Sequence, residues 1–189
     1  MLAMHNYESA SGKLPAYANF DADGKPLLSW RVHMLPYLER SDLYKKFKLD
    51  EPWDSPHNIQ LVESMPAVYA DPALDLQPLK RAGKTRIVVP VGRETMFHGP
   101  KGLEFKEISD GTSNTIAVVS VTPKHAVVWT QPIDWQVDMN DPHARLFDED
   151  SRLAVVGLAD GSSHLLHSDL SVEQLKAWFT KAGGEELLE

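Results

Sequence analysis

Residues 107–120 read EISDGTSNTIAVVS, and the way this stretch divides into turn and strand decides the fold. Asp110-Gly111 is a turn signal, and the polar side chains of Thr112, Ser113 and Asn114 can satisfy nearby backbone groups before residues 115–121 continue as an apolar, β-prone run. The expected structure is a tight turn feeding a buried strand. A second Asp-Gly pair, Asp160-Gly161, separates residues 153–159 from 162–167, which is the strongest short-range hairpin signal a sequence offers. The two halves are expected to share one sheet.

Working outward, residues 1–9 followed by Ser11-Gly12 suit the last turns of a helix whose beginning lies elsewhere. Residues 14–20 and 25–30 flank Asp21-Ala22-Asp23-Gly24 and predict a short hairpin or extended loop, with Pro15 and Pro26 keeping any strand at an edge. Residues 31–47 carry Leu35, Leu38, Leu43 and Phe47 at helical spacing, broken at Pro36, and predict two short helical pieces. Ser55 as cap, Pro56 at the first helical position and Ile59, Val62 and Met65 on one face predict a helix of about three turns. Residues 71–84 read as a surface loop, 86–91 as a strand, and 126–129 as a short strand before an acidic, aromatic loop at 134–150.

At the carboxyl end, Ser171-Val172-Glu173-Gln174 is a capping-box pattern, and Val172, Leu175, Trp178, Phe179 and Ala182 form an apolar stripe ending at Gly183-Gly184. Helices first, then strands joined by short turns, then one helix argue for an α+β fold with a mainly antiparallel sheet. One globular domain is expected over residues 1–184, with residues 1–9 as the helix stub and 185–189 as an acidic tail.

The composition narrows the function. The net charge is −8 and no lysine or arginine stripe tracks phosphates, so neither nucleic acid nor an anionic membrane surface is an expected partner. Zero cysteines exclude disulfides, thiolate zinc sites and a cysteine nucleophile. The sequence contains no apolar run of membrane-spanning length, and the chain as given is expected to be soluble.

The chemistry-bearing residues each have a simpler structural explanation. Asp21, Asp23 and Gly24 echo a calcium loop, but the twelfth position is Val32, which cannot ligate. Asp54 and His57 could join His164 or His167 around zinc, yet Asp54 or Ser55 as a helix cap, with His57 in the first turn and Trp53 packed beneath, is the preferred reading. Ser113 with Asp110 lacks the second glycine of a nucleophile elbow. Trp135, in the acidic loop, is the aromatic residue expected to contact a ligand. Trp53, Asp54, His57 and Trp135 are therefore the candidate ligand or partner surface; no catalytic or metal-binding residue and no cofactor is assigned.

The stretch DGTSNT resembles that of the DUF1559 family, a group of PulG-like proteins abundant in planctomycetes and related to type II secretion pseudopilins. The resemblance extends to HNY at 5–7, DGKPLLSWR at 23–31, LPYLE at 35–39, EPWDSPHN at 51–58 and ADGS at 159–162, in the family's order over nearly the whole chain. It implies a small antiparallel sheet packed against an amino-terminal helix, and an apolar prepilin-like helix upstream of Leu2. It departs from the family in having Asp71 before Pro72 where many members have cysteine, Ser120 where many have glutamate, and Asp150 where a histidine is common.

The function these observations favour is a non-enzymatic, pseudopilin-like head domain of a cell-envelope protein, on the periplasmic side and membrane-anchored only through the upstream helix. It would self-assemble or bind envelope partners. The alternatives are a soluble binding module for a glycan, a peptide or calcium on loops 71–84 and 134–150, and a metal-dependent hydrolase using Asp54, His57 and His164.

Overall fold

The computed structural model describes residues 1–71, 77–149 and 151–184. Helix α1 (Leu2–Ser11) opens the chain, followed by strands β1 (Ala18–Phe20) and β2 (Pro26–Ser29) and helices α2 (Trp30–His33) and α3 (Ser41–Tyr44). Helix α4 (Gln77–Arg81) precedes β3 (Lys84–Thr85), β4 (Ile87–Val88), β5 (Pro90–Val91) and β6 (Ile116–Ser120). Strands β7 (Val127–Val128), β8 (Trp135–Gln136), β9 (Leu153–Leu158) and β10 (Ser163–His167) then lead to α5 (Val172–Phe179). The fold is α+β.

The organising element is an antiparallel four-stranded sheet in the order β10-β9-β6-β4. The strand begun by DGTSNT and the Asp160-Gly161 hairpin meet in it directly, with Val119 opposite Val156. Gly161, at φ 97°, takes the left-handed turn position, and Asp160 Oδ1 accepts from the Ser162 N–H at 2.8 Å. Of the three two-stranded pairings, β1-β2 and β3-β7 are antiparallel, and β5-β8 is parallel.

Alternation along the strands gives the sheet two unequal faces. Val88, Ile116, Val119, Val156, Leu158 and Leu166 point to one side, where Leu175 and Phe179 of α5 and the indole of Trp135 close over them. On the other side Val89 and Ala117 join a larger cluster containing Met4, Leu28, Trp30, Leu35, Phe47 and Trp129. That cluster roofs the β4–β6 half of its face. Over β9 and β10 the face is open, with Leu153, Val155 and Leu165 exposed.

Local chemistry explains most element boundaries. α1 stops where Gly12 turns left-handed at φ 77° and its N–H reaches the Glu8 carbonyl at 2.7 Å. At α5 the capping box is complete: Ser171 Oγ accepts from the Gln174 N–H at 3.1 Å and Gln174 Oε1 from the Ser171 N–H at 2.8 Å. The helix ends at Phe179, short of the expected Ala182. The Asp110 carboxylate takes the Gly183 and Gly184 N–H groups at 2.6 and 2.9 Å and pulls the chain off the helical path.

Other expectations need correction. The three-turn helix after Ser55 is a 3-10 helix at Asn58–Ser64; Ser55 Oγ does cap, accepting from the Asn58 N–H at 3.0 Å. Residues 31–47 form three helical pieces, because a 3-10 turn at Leu35–Leu38 ends at Glu39 with φ 59°. The strand expected at 86–91 is split into β4 and β5, since the intervening Val89 N–H donates to Asp134 Oδ1 at 2.9 Å. The loop expected at 71–84 contains α4 and the start of β3; residues 72–76, like Asp150 and the tail 185–189, lie outside the described residues.

Candidate functional site

The open half of the sheet face is the candidate site, and α1 stands at its margin. Met4 is 2% exposed and fixes α1 in the larger cluster. His5 Nε2 hydrogen-bonds the Ala159 carbonyl at 2.7 Å, and its ring meets Phe105 edge-on at 5.3 Å. Tyr7 makes a second edge-on contact with Tyr37 at 5.6 Å. His5 thus joins the HNY segment directly to the ADGS turn, two stretches 154 residues apart.

The first turn of α1 reaches onto the strands. A side chain built on Gly157 would lie only 2.7 Å from Val118 Cγ2, so glycine is needed where β9 passes that side chain; Met1 Cγ, at 3.6 Å, sits in ordinary contact above it. Met1, Ile87, Val118, Val155 and Gly157 line a groove of about 240 Å³. It continues into a depression of about 390 Å³ between Tyr69, Arg86, Ser120 and Leu153. On the other side of Met1 an apolar pocket of about 170 Å³ lies among Met34, Leu38, Val68 and Trp30. Val155 is 52%, Leu165 59% and Val68 54% exposed; Met1 borders both the pocket of Val68 and the groove of Val155, and Leu165 lies opposite Val155, which makes an apolar strip from the start of α1 to the β10 edge. Exposed apolar surface of this kind is characteristic of contact surfaces between proteins.

Behind it lies a polar hub that sequence reasoning missed. Arg31 and Asp134 pair at 2.6 Å with both side chains fully buried. Arg31 also donates from Nε to the Ile87 carbonyl at 2.9 Å and from Nη1 to Ser29 Oγ at 2.6 Å. Its guanidinium lies 4.9 Å from the Trp30 ring centre. Asp134 Oδ1 further accepts from Trp30 Nε1 at 3.3 Å, while Tyr69 donates its hydroxyl to the Arg31 carbonyl at 2.9 Å. Burial pushes the Asp134 carboxyl up, with Arg31 opposing, and burial likewise raises the Tyr69 phenol. The pair ties α2 to β4 and β8 and is built for rigidity. Arg31 ends the SWR segment, but nothing in the sequence identifies its partner 103 residues away.

The residues singled out from sequence are not brought together. Trp135 is 2% exposed and packs edge-on against Phe179 at 5.3 Å, so the expectation that it contacts ligand is wrong. The acidic loop turns inward there because Asp134 is drawn to Arg31 and β8 pairs with β5. Trp53 is half-buried against the larger cluster, and its backbone N–H donates to the Leu27 carbonyl at 2.9 Å. Asp54 is exposed, and His57 Nε2 hydrogen-bonds the Lys46 carbonyl at 2.7 Å. The pivot of EPWDSPHN is instead Asn58, wholly buried. Its Nδ2 reaches the carbonyls of Lys48, Glu51 and Pro52 at 2.9, 3.2 and 3.1 Å, and its Oδ1 accepts from the Lys48 N–H at 3.0 Å.

His164 is apart from Asp54 and His57, its ring 5.6 Å from Trp178, and the described residues contain no group of three or more potential metal ligands. Asp21 Oδ1 accepts the Asp23 and Lys25 N–H groups at 3.0 and 2.8 Å, the geometry of a turn. In DGTSNT, Asn114 Nδ2 donates to the Asp110 carbonyl at 3.0 Å and Thr115 Oγ1 to the Gly111 carbonyl at 3.1 Å, while Ser113 is exposed and its hydroxyl makes no hydrogen bond among the described residues. No helix among the described residues is long and apolar enough to cross a membrane.

Comparison with curated proteins and with solved structures finds no match. The family match falls on the half of the chain that carries HNY, DGKPLLSWR, LPYLE and EPWDSPHN, and stops before DGTSNT and ADGS. Residues 1–91 match the family described as a protein of unknown function (DUF1559), and this part of the chain belongs to the DUF1559 family.

Proposed function

We propose that this chain is the non-enzymatic, pseudopilin-like (PulG-like) head of a cell-envelope protein, which meets its partners through the open sheet face beside α1. The observation that carries the reading is the apolar strip from Met1 through Val155 to Leu165, which begins at the start of the amino-terminal helix. In this scheme a helix continuing upstream of α1 supplies membrane retention and packing between subunits, as in type II secretion pseudopilins. The rigid head, braced by Arg31 and Asp134, supplies surface specificity. Isolation from the native cells, followed by intact mass and amino-terminal sequencing, tests it. The expected product is a membrane-fraction protein with a processed apolar helix ahead of Leu2; a freely soluble protein beginning at Met1 overturns the reading.

One observation favours a second reading, a binding module for a glycan or peptide. A groove of about 530 Å³ between Tyr7, Lys13, Asn19, Phe20, His33 and Pro100 combines aromatic and polar walls. It lies away from the loops at 71–84 and 134–150 that the sequence suggested. Ligand-induced rise in melting temperature, abolished by Phe20→Ala, would support it.

A further inference from the structure

We infer that the exposed edge of β10 pairs with β10 of a second copy of this chain, antiparallel and centred on Leu165. The inference deepens the assembly reading above by naming a partner, and it stands on different atoms.

The two edges of the sheet are unlike. β4 has only two residues, is followed by Pro90, and has its neighbouring Val89 N–H taken by Asp134. These are the devices by which proteins blunt an edge. β10 has five residues, no proline, no bulge against β9 and no lysine or other full charge. In a chain of net charge −8, the run 161–168, GSSHLLHS, contains no acidic residue, so two copies can meet there without like charges facing each other.

The hydrogen-bond parity of the hairpin determines which groups face outward. The Leu158 N–H donates to the Ser162 carbonyl at 2.9 Å and the Ser168 N–H to the Arg152 carbonyl at 3.0 Å, in the same register as the Val156–His164 and Ala154–Leu166 pairs. His164 and Leu166 therefore direct their backbone groups to β9. Ser163, Leu165 and His167 direct theirs to the free edge. Among the described residues only the His167 carbonyl has another partner, the Leu170 N–H at 3.3 Å.

A two-fold centred on Leu165 sets Leu165 opposite itself and Ser163 opposite His167 of the other copy. All three are outward-directed residues, so each pair is a hydrogen-bonded pair and the strand is complementary to itself. The Leu165 side chains, 59% exposed in one copy, meet on the same face as Val155 and Leu153. The two open faces merge into one apolar surface across a continuous eight-stranded sheet.

Sedimentation equilibrium of the full chain over a concentration series tests the pairing. A reversible dimer is expected, shifted to monomer by Leu165→Lys with no fall in the melting temperature measured at concentrations where both proteins are monomeric. Because the chain has no cysteine, Leu165→Cys provides an independent readout. Opposed Cα atoms of a hydrogen-bonded pair lie about 5.5 Å apart, within disulfide reach, so mild oxidation should cross-link this variant and leave His164→Cys without a covalent link. A monomer up to about 1 mM, or a dimer indifferent to Leu165→Lys and not cross-linked through Leu165→Cys, overturns the inference. A processed, membrane-anchored protein whose head stays monomeric would overturn the dimer while leaving the assembly reading intact.

Discussion

Val155 and Val156 are consecutive residues of one strand in opposite surroundings: Val156 is 1% exposed beneath α5, and Val155 is 52% exposed on the open face. The two faces are similar in composition. They differ in what the chain lays over them: α5 and Trp135 on one, and on the other a cluster that stops at β6. Stability is thereby concentrated in the covered face and recognition can be left to the bare one.

The largest effects should come from uncovering the sheet or breaking the hub behind it. Phe179→Ala opens the covered face and should lower stability by about 3–5 kcal/mol in urea unfolding. A loss below about 1 kcal/mol would make the two faces equivalent and end the contrast. Asp134→Ala strands the Arg31 guanidinium in the interior and should cost about 3–5 kcal/mol, whereas removing Glu51 from its solvent-screened pair with Lys48 should leave stability almost unchanged.

Acid separates the larger cluster from the rest. Burial lowers His33 from 6.5 to about 4, so the folded state keeps this ring neutral while the unfolded chain takes up a proton. The unfolded state then binds more protons between those two values, and stability falls as pH drops from about 6.5 to about 4, by about 3 kcal/mol in total. His33→Phe should flatten that slope in melts across the range. An unchanged slope would show that His33 is not the group responsible; the Asp160 carboxyl, which its Ser162 hydrogen bonds hold below the ordinary value of 3.8, acts outside this window, because its contribution is lost only as pH falls further.

The smallest effect is the sharpest test of the contrast. Val156→Ala should cost about 2 kcal/mol, and Val155→Ala should change stability by no more than about 0.5 kcal/mol. Equal losses would mean that the open face is covered in the folded chain after all.

The sequence by itself determined the elements whose causes are local. Asp160-Gly161, Gly12 and the Ser171–Gln174 capping box act over a few residues, through turn geometry and orphan backbone groups, and each can be read from its own neighbourhood. The same holds for the α+β order and for the DUF1559 kinship over residues 1–91. Tertiary structure decided what depends on distant partners. Trp135 reads as a loop aromatic until Asp134 finds Arg31, and the strand at 86–91 reads as continuous until the same carboxylate takes the Val89 N–H. Alternation in β9 shows that the strand has two faces, but only packing shows that one of them is bare. Periodicity is written into a single strand, whereas burial depends on what the rest of the chain brings against it.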